Sequence, residues 1–137
     1  MRKKESATVL VVDDDPFLLD VVAEQITSFG YEAILASSAE EALEVAPEQT
    51  KIDLLLTDIM MPKMNGVDLA KQFIELYPKT KVLFMSGYMC PSIANYGIQN
   101  SGNAFLQKPF TKNNLISKMR NILDGPSMDL NTNDSDS

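Results

Sequence analysis

Residues 54–66 read LLLTDIMMPKMNG: an apolar run as long as one strand, a single acid, Asp58, where the run stops, and then the turn formers Pro62 and Asn65-Gly66. A continuous apolar run bounded by turn signals suits a strand buried on both faces, as in a parallel sheet. Asp58 then stands where such a strand ends. Working outward, the strand itself extends over IDLLLT (52–57), and four other short runs share its character: TVLVV (8–12), EAILA (32–36), KVLFMS (81–86) and NAFLQ (103–107).

Between these runs lie segments of helical period. Phe17 to Phe29 places Leu18, Val21, Val22, Gln25, Ile26 and Phe29 near the i, i+3, i+4, i+7 template and stops at Gly30. The second helix opens on SAEEALEVA, where Ser38 and Glu41 match a capping box. A third runs from about Gly66 to Tyr77, with Val67, Ala70, Phe73, Ile74 and Tyr77 on one side and Pro78 ending it. A fourth, from Pro91 to about Asn100, is polar and weakly patterned. The fifth follows Thr111 as N-cap and puts Leu115, Ile116, Met119, Ile122 and Leu123 on one face. Strand and helix thus alternate five times, which predicts a three-layer α/β sandwich around a parallel sheet. Residues 1–7 read as an N-terminal extension, 8–124 as one domain, and the acidic, aperiodic stretch 125–137 as a disordered tail or the start of a linker.

Composition removes several function classes. A chain of 137 residues with net charge −7 lacks the clustered cations that bind nucleic acid phosphates, so no direct DNA or RNA contact is expected. No apolar run approaches the roughly 18 residues of a membrane span, and the first residues do not resemble a signal peptide. A cytoplasmic location is expected, and the lone Cys90 agrees with it. The chain has no histidine, which excludes Ser-His-Asp and Cys-His catalysis and imidazole metal sites. Any chemistry falls to carboxylates, hydroxyls, lysine and a hard metal ion.

In a parallel α/β sheet, ligands sit beyond the carboxyl ends of the strands. The first strand ends in Asp13, Asp14 and Asp15, the third in Asp58, the fourth in Ser86-Gly87, and Lys108-Pro109 follows the fifth. Each has an ordinary local reading: Asp13 to Asp15 also suit a helix N-cap and first turn, Asp58 a turn, Ser86 a serine before glycine, Lys108 a solvated lysine. Four strand ends delivering such groups to one edge argue for a shared site. Clustered carboxylates without nitrogen or sulfur ligands call for a hard cation, and Mg²⁺ fits. A carboxylate there can act as a nucleophile toward a phosphoryl group, with Mg²⁺, Lys108 and Ser86 meeting the three equatorial oxygens.

With VLVVDDDP, LLLTDIMMPKMNG, VLFMSG and AFLQKPF in that order from about Thr8 to Leu123, the chain resembles the receiver domain of bacterial two-component response regulators. The resemblance implies a (βα)₅, flavodoxin-like fold with sheet order 2-1-3-4-5. It also implies transfer of a phosphoryl group from the phosphohistidine of a sensor histidine kinase or phosphotransfer protein onto Asp58. By the same resemblance Asp14 is a direct Mg²⁺ ligand, Asp13 acts through a bound water, Asp58 and the backbone carbonyl of Met60 complete the set, Ser86 and Lys108 contact the phosphoryl oxygens, and the Lys108-Pro109 bond is cis. Such a domain is not an enzyme beyond assisting its own phosphorylation and dephosphorylation, and it acts on a downstream protein or a fused domain.

Two positions depart from the family's pattern. Its switch aromatic often carries a hydroxyl, and Phe105 has none. Met60 and Tyr88, the positions that tune water access in the family, are bulky and apolar, which implies a longer phosphoryl lifetime. An aspartate-nucleophile phosphatase would need a second aspartate two residues after the first, where Met60 stands. G-x-G-x-x-G and G-x-x-x-x-G-K-[ST] are absent. A receiver-like interaction module that is never phosphorylated remains the alternative that only an assay separates.

Overall fold

A computed structural model of the chain describes residues 7–87 and 105–124. Its elements are β1 (Thr8–Val12), α1 (Pro16–Ser28), β2 (Glu32–Ala36), α2 (Ala39–Val45) with a 3₁₀ turn at Ala46–Glu48, β3 (Leu54–Asp58), α3 (Gly66–Leu76), β4 (Lys81–Ser86), β5 (Phe105–Gln107) and α4 (Lys112–Asp124). The five strands are parallel and ordered β2-β1-β3-β4-β5, the expected 2-1-3-4-5. The helix expected over Pro91 to Asn100 lies outside the described residues.

Because successive strand residues face opposite sides, the sheet divides the core in two. Leu10, Val12, Leu55 and Phe84 join α2 and α3 through Ala39, Ala42, Leu69, Ala70 and Phe73. Val9, Val11, Leu54, Leu56, Leu83 and Met85 face α1 and α4 through Leu19, Val22, Ile26, Leu115, Ile116 and Met119. Burial on both faces is why the stretches Val9–Val12 of β1 and Leu54–Leu56 of β3 are continuously apolar and do not alternate.

The expected strand over 52–57 is instead Leu54–Asp58. Asp53 is engaged with the chain entering β1: its backbone N–H donates to the Thr8 carbonyl at 2.8 Å and its Oδ2 accepts from the Thr8 N–H at 2.7 Å. The strand therefore starts later and includes Asp58 itself. Helix phase also differs. In α1 the buried positions are Leu19, Val22 and Ile26, while Leu18, Val21 and Gln25 are half-buried and Phe29 is exposed. In α3 Leu69 is buried and Ile74 faces outward.

Local signals set the helix ends. Asp15 Oδ1 caps α1 by accepting from Phe17 N at 3.0 Å, Pro16 occupies the first turn, and Gly30 ends the segment at φ 115°. Ser38 Oγ accepts from Glu41 N at 3.0 Å, but the Glu41 carboxylate reaches one residue further back than a capping box requires, to Ser37 N at 2.7 Å and Ser37 Oγ at 2.9 Å. Those two bonds hold the Glu41 carboxyl below its ordinary pKa. Asn65 caps α3 through Asp68 N at 2.8 Å, and Thr111 Oγ1 accepts from Asn114 N at 3.0 Å at the start of α4.

Candidate functional site

The register brings the carboxyl ends of four strands, β1, β3, β4 and β5, level. Val12 pairs with Thr57, so Asp13 follows β1 beside Asp58 at the end of β3; Asp58 pairs with Met85, and Ser86 with Gln107, one residue before Lys108. Backbone bonds continue past the strand ends and hold these residues in place. Asp13 N donates to Ala36 O at 3.2 Å, Ile59 N to Met85 O at 3.1 Å, and Lys108 N to Ser86 O at 2.7 Å. The Lys108-Pro109 bond is cis.

Lys108 Nζ lies 3.0 Å from Asp13 Oδ2 and 3.4 Å from Asp58 Oδ1, so one ammonium spans both carboxylates. The other oxygen of Asp13 accepts from Asp15 N at 2.9 Å. Asp13 is 1% exposed and Asp58 6%, whereas Asp14 faces solvent. One carboxylate oxygen from each of Asp13, Asp14 and Asp58 falls within 4.8 Å of the others. The three acids at the first strand end thus divide their work: Asp15 is the local helix cap, and Asp13 and Asp14 join Asp58.

Burial, and then the neighbouring charge of Asp13, push the Asp58 carboxyl above the ordinary range, and Lys108 only partly opposes them. Burial alone would lower the Lys108 pKa, but the hydrogen bond to Asp13 and the charges of Asp58 and Asp13 outweigh it and raise it. The site therefore holds more negative charge than one ammonium settles. Its donor set is oxygen throughout, half-open through Asp14, and fits a hard divalent cation.

Ser86 is buried at the end of β4. Phe105 pairs with Phe84 three residues before Lys108 and packs, half-buried, on the α2 and α3 side of the sheet. Met60 is 63% exposed just past Asp58, and Tyr88 lies outside the described residues. The loop after Asp58 departs from its sequence reading. Asn65-Gly66 looks like a turn pair, yet Asn65 is a helix cap and the left-handed residue is Lys63, at φ 66°. Gly66 is required for a different reason, since a Cβ there would sit 2.0 Å from the Asp58 carbonyl oxygen. Thr57 Oγ1 also donates to that carbonyl at 2.9 Å, a contact only the folded chain reveals.

Comparison with known proteins agrees with this geometry. The profile of the family described as "Response regulator receiver domain" matches residues 9–120. The transcriptional regulatory protein CpxR of Escherichia coli K12 is 33% identical over 115 residues, 84% of this chain and 48% of CpxR. The sensor kinase CckA of Brucella abortus is 32% identical over 120 residues, 87% of this chain and 13% of CckA. The chemotaxis protein CheY of Thermotoga maritima is 31% identical over 115 residues, 83% of this chain and 95% of that protein. This chain spans about half the length of CpxR and a far smaller part of CckA. Among solved structures, a CheY-like receiver domain protein from Methanospirillum hungatei superposes with a TM-score of 0.79 at 29% identity, covering 88% of this chain and 95% of that one. Acids at the ends of β1 and β3, the lysine after β5, the 2-1-3-4-5 sheet and the profile match over most of the chain agree: this protein belongs to the response regulator receiver domain family.

Proposed function

We propose that this chain accepts a phosphoryl group on Asp58 from the phosphohistidine of a sensor histidine kinase or phosphotransfer protein, and that the modified domain signals through protein contacts. The observation that carries the reading is the meeting of Asp13, Asp14 and Asp58 within 4.8 Å, with Lys108 Nζ spanning Asp13 and Asp58. In the transfer, a carboxylate oxygen of Asp58 attacks phosphorus. The new O–P bond forms as the P–N bond breaks, and its electron pair leaves with the donor imidazole.

The chain's own groups have distinct tasks. β3, buried along its whole length, fixes the nucleophile at a rigid strand end. Asp58 is buried at the strand end, the same burial that raises its pKa, so little hydration has to be stripped from the carboxylate before attack. Lys108, at 3.4 Å from Asp58, is close enough to turn its ammonium onto an arriving phosphoryl oxygen, and the Ser86 hydroxyl supplies a further donor at the same edge. Asp14, Asp58 and the Met60 backbone carbonyl would hold Mg²⁺ directly and Asp13 through a water. When bound, the ion neutralises the acids and the charge of the transferring group.

Phosphorylation adds about −1.5 to −2 charge at Asp58. That charge draws Ser86 and Lys108 toward it and biases the surface built by β4, β5 and the segments that follow them, with Phe105 repacking beneath. Phe105 has no hydroxyl, so its two positions differ in packing alone. The surface then binds or releases a protein partner or a fused domain. Incubation with acetyl phosphate and Mg²⁺ tests the reading by intact mass. Wild type should gain about 80 Da, one phosphoryl group, and Asp58→Asn should not. Labelling at another residue would overturn the assignment of Asp58, and no labelling at all would favour an interaction module that is never phosphorylated.

A further inference from the structure

Thr57 breaks the apolar run of β3 one residue before the acceptor, and it is fully buried. Its register partners are Val12 on β1 and Phe84 on β4, and alternation places it on the same side of the sheet as Leu55, toward α2 and α3. A hydroxyl in such a place costs free energy unless it finds a partner, and a valine would fill the position with no polar atom to satisfy. Thr57 Oγ1 donates at 2.9 Å to the carbonyl oxygen of Asp58. The pairing of β1 with β3 ends at Val12 and Thr57, so Asp58 lies one residue beyond it on that side. Gly66 meets the same carbonyl at the start of α3, so close that a Cβ there would stand 2.0 Å from the oxygen. The Asp58 carbonyl is therefore gripped twice, by a hydroxyl from its own strand and by the main chain of α3.

What that grip governs is a peptide plane. The unit joining Asp58 to Ile59 is flat, so fixing its carbonyl fixes the Ile59 N–H on the opposite side. That N–H donates to Met85 O at 3.1 Å. With both ends of the unit held, rotation about the bond from Asp58 Cα to its carbonyl carbon is restricted. Asp58 Cα lies in the same plane, so its side chain leaves the strand in one direction, and the carboxylate arrives 3.4 Å from Lys108 Nζ. A nucleophile displaced by about 1 Å loses much of its rate, which gives the hydroxyl a consequence for transfer. We infer that Thr57 is a positioning residue whose hydroxyl, through the Asp58 carbonyl, sets the aim of the Asp58 carboxylate, an inference that rests on Asp58 being the phosphoryl acceptor. Thr57 acts through the main chain and touches none of the reacting atoms.

The test compares wild type with Thr57→Val and Thr57→Ala, which lack the hydroxyl, and with Thr57→Ser, which keeps it, each below its melting transition. With Mg²⁺ in excess and acetyl phosphate varied, phosphorylation rates are read by intact mass, and the Ile59 amide is followed by ¹⁵N-correlated NMR. The maximal rate should fall about tenfold in the Val and Ala variants at a nearly unchanged half-saturating acetyl phosphate concentration, and Ser should stay within about twofold of wild type. The Ile59 amide resonance should move in Val and Ala and hold its place in Ser. A wild-type maximal rate or an unmoved Ile59 amide in folded Val or Ala protein would overturn the inference. So would a Ser variant as slow as Val, or a loss confined to the half-saturating concentration. Failure of both Val and Ala to fold would overturn it as well, by making the hydroxyl a requirement of the fold. A wild type that takes no phosphoryl group would instead overturn the assignment of Asp58, and this inference with it.

Discussion

Asp58 carries its charge in a place that resists it. Burial comes first and the charge of Asp13 second, and together they raise its pKa despite Lys108. A carboxyl whose folded pKa lies above its unfolded value stabilises the fold when protonated, below the ordinary pKa of 3.8, and loses that contribution as pH rises through the folded pKa. At neutral pH and without divalent ions, Asp58→Asn should therefore melt at higher temperature than wild type, and the difference should vanish as the pH is taken below 3.8. Thermal melts in EDTA across that range check it; a variant less stable than wild type at neutral pH would refute it. Gly66 imposes the opposite sensitivity. A Cβ at 2.0 Å from Asp58 O and 2.9 Å from Asp58 C meets backbone that cannot rotate away. Gly66→Ala should cost about 3 kcal/mol in urea unfolding. It should also slow phosphorylation of whatever protein remains folded, because the displaced atoms carry the acceptor.

At the scale of elements, helix phase is where the sequence and the folded chain part. In α3 Leu69 is fully buried and Ile74 is 37% exposed. Leu69→Ala should lose about 2–5 kcal/mol, as buried leucines do, and Ile74→Ala under about 1 kcal/mol. Equal losses in chemical denaturation would contradict the burial pattern. The ambiguity has a physical source: α3 has apolar residues at Val67, Leu69, Ala70, Phe73, Ile74 and Leu76, more than one face can bury, so the 3.6 period alone does not choose the inner stripe. Strand ends were easier to read, because in β1 and β3 continuous apolar burial gives way abruptly to aspartate. The acids were legible for that reason, and the fold explains why Asp13, Asp14 and Asp58 come together with Lys108. The left-handed backbone at Lys63 was not legible, since nothing in a lysine signals positive φ. Nor was the Gly66 contact, because Asn-Gly reads as a turn until the position of the Asp58 carbonyl is known.

For the molecule as a whole, net charge and site charge point the same way, and separating them is itself a test. Any added salt screens the repulsion implied by −7 and should raise the melting temperature of wild type and variants alike. A divalent cation held between Asp13, Asp14 and Asp58 acts differently, because the unfolded chain has no such cluster and binding stabilises only the native state. At ten times its Kd, Mg²⁺ should add about 1.4 kcal/mol, roughly 5 °C for a chain of this size. Measured against NaCl of matched ionic strength, that increment should appear in wild type and be largely lost in Asp14→Asn. Asp14 is the informative position, since it is solvent-facing and its replacement leaves the buried pairing of Lys108 with Asp13 and Asp58 in place. If Mg²⁺ stabilised wild type no more than matched NaCl did, or stabilised Asp14→Asn equally, the three acids would be an electrostatic strain on the fold and not a cation site.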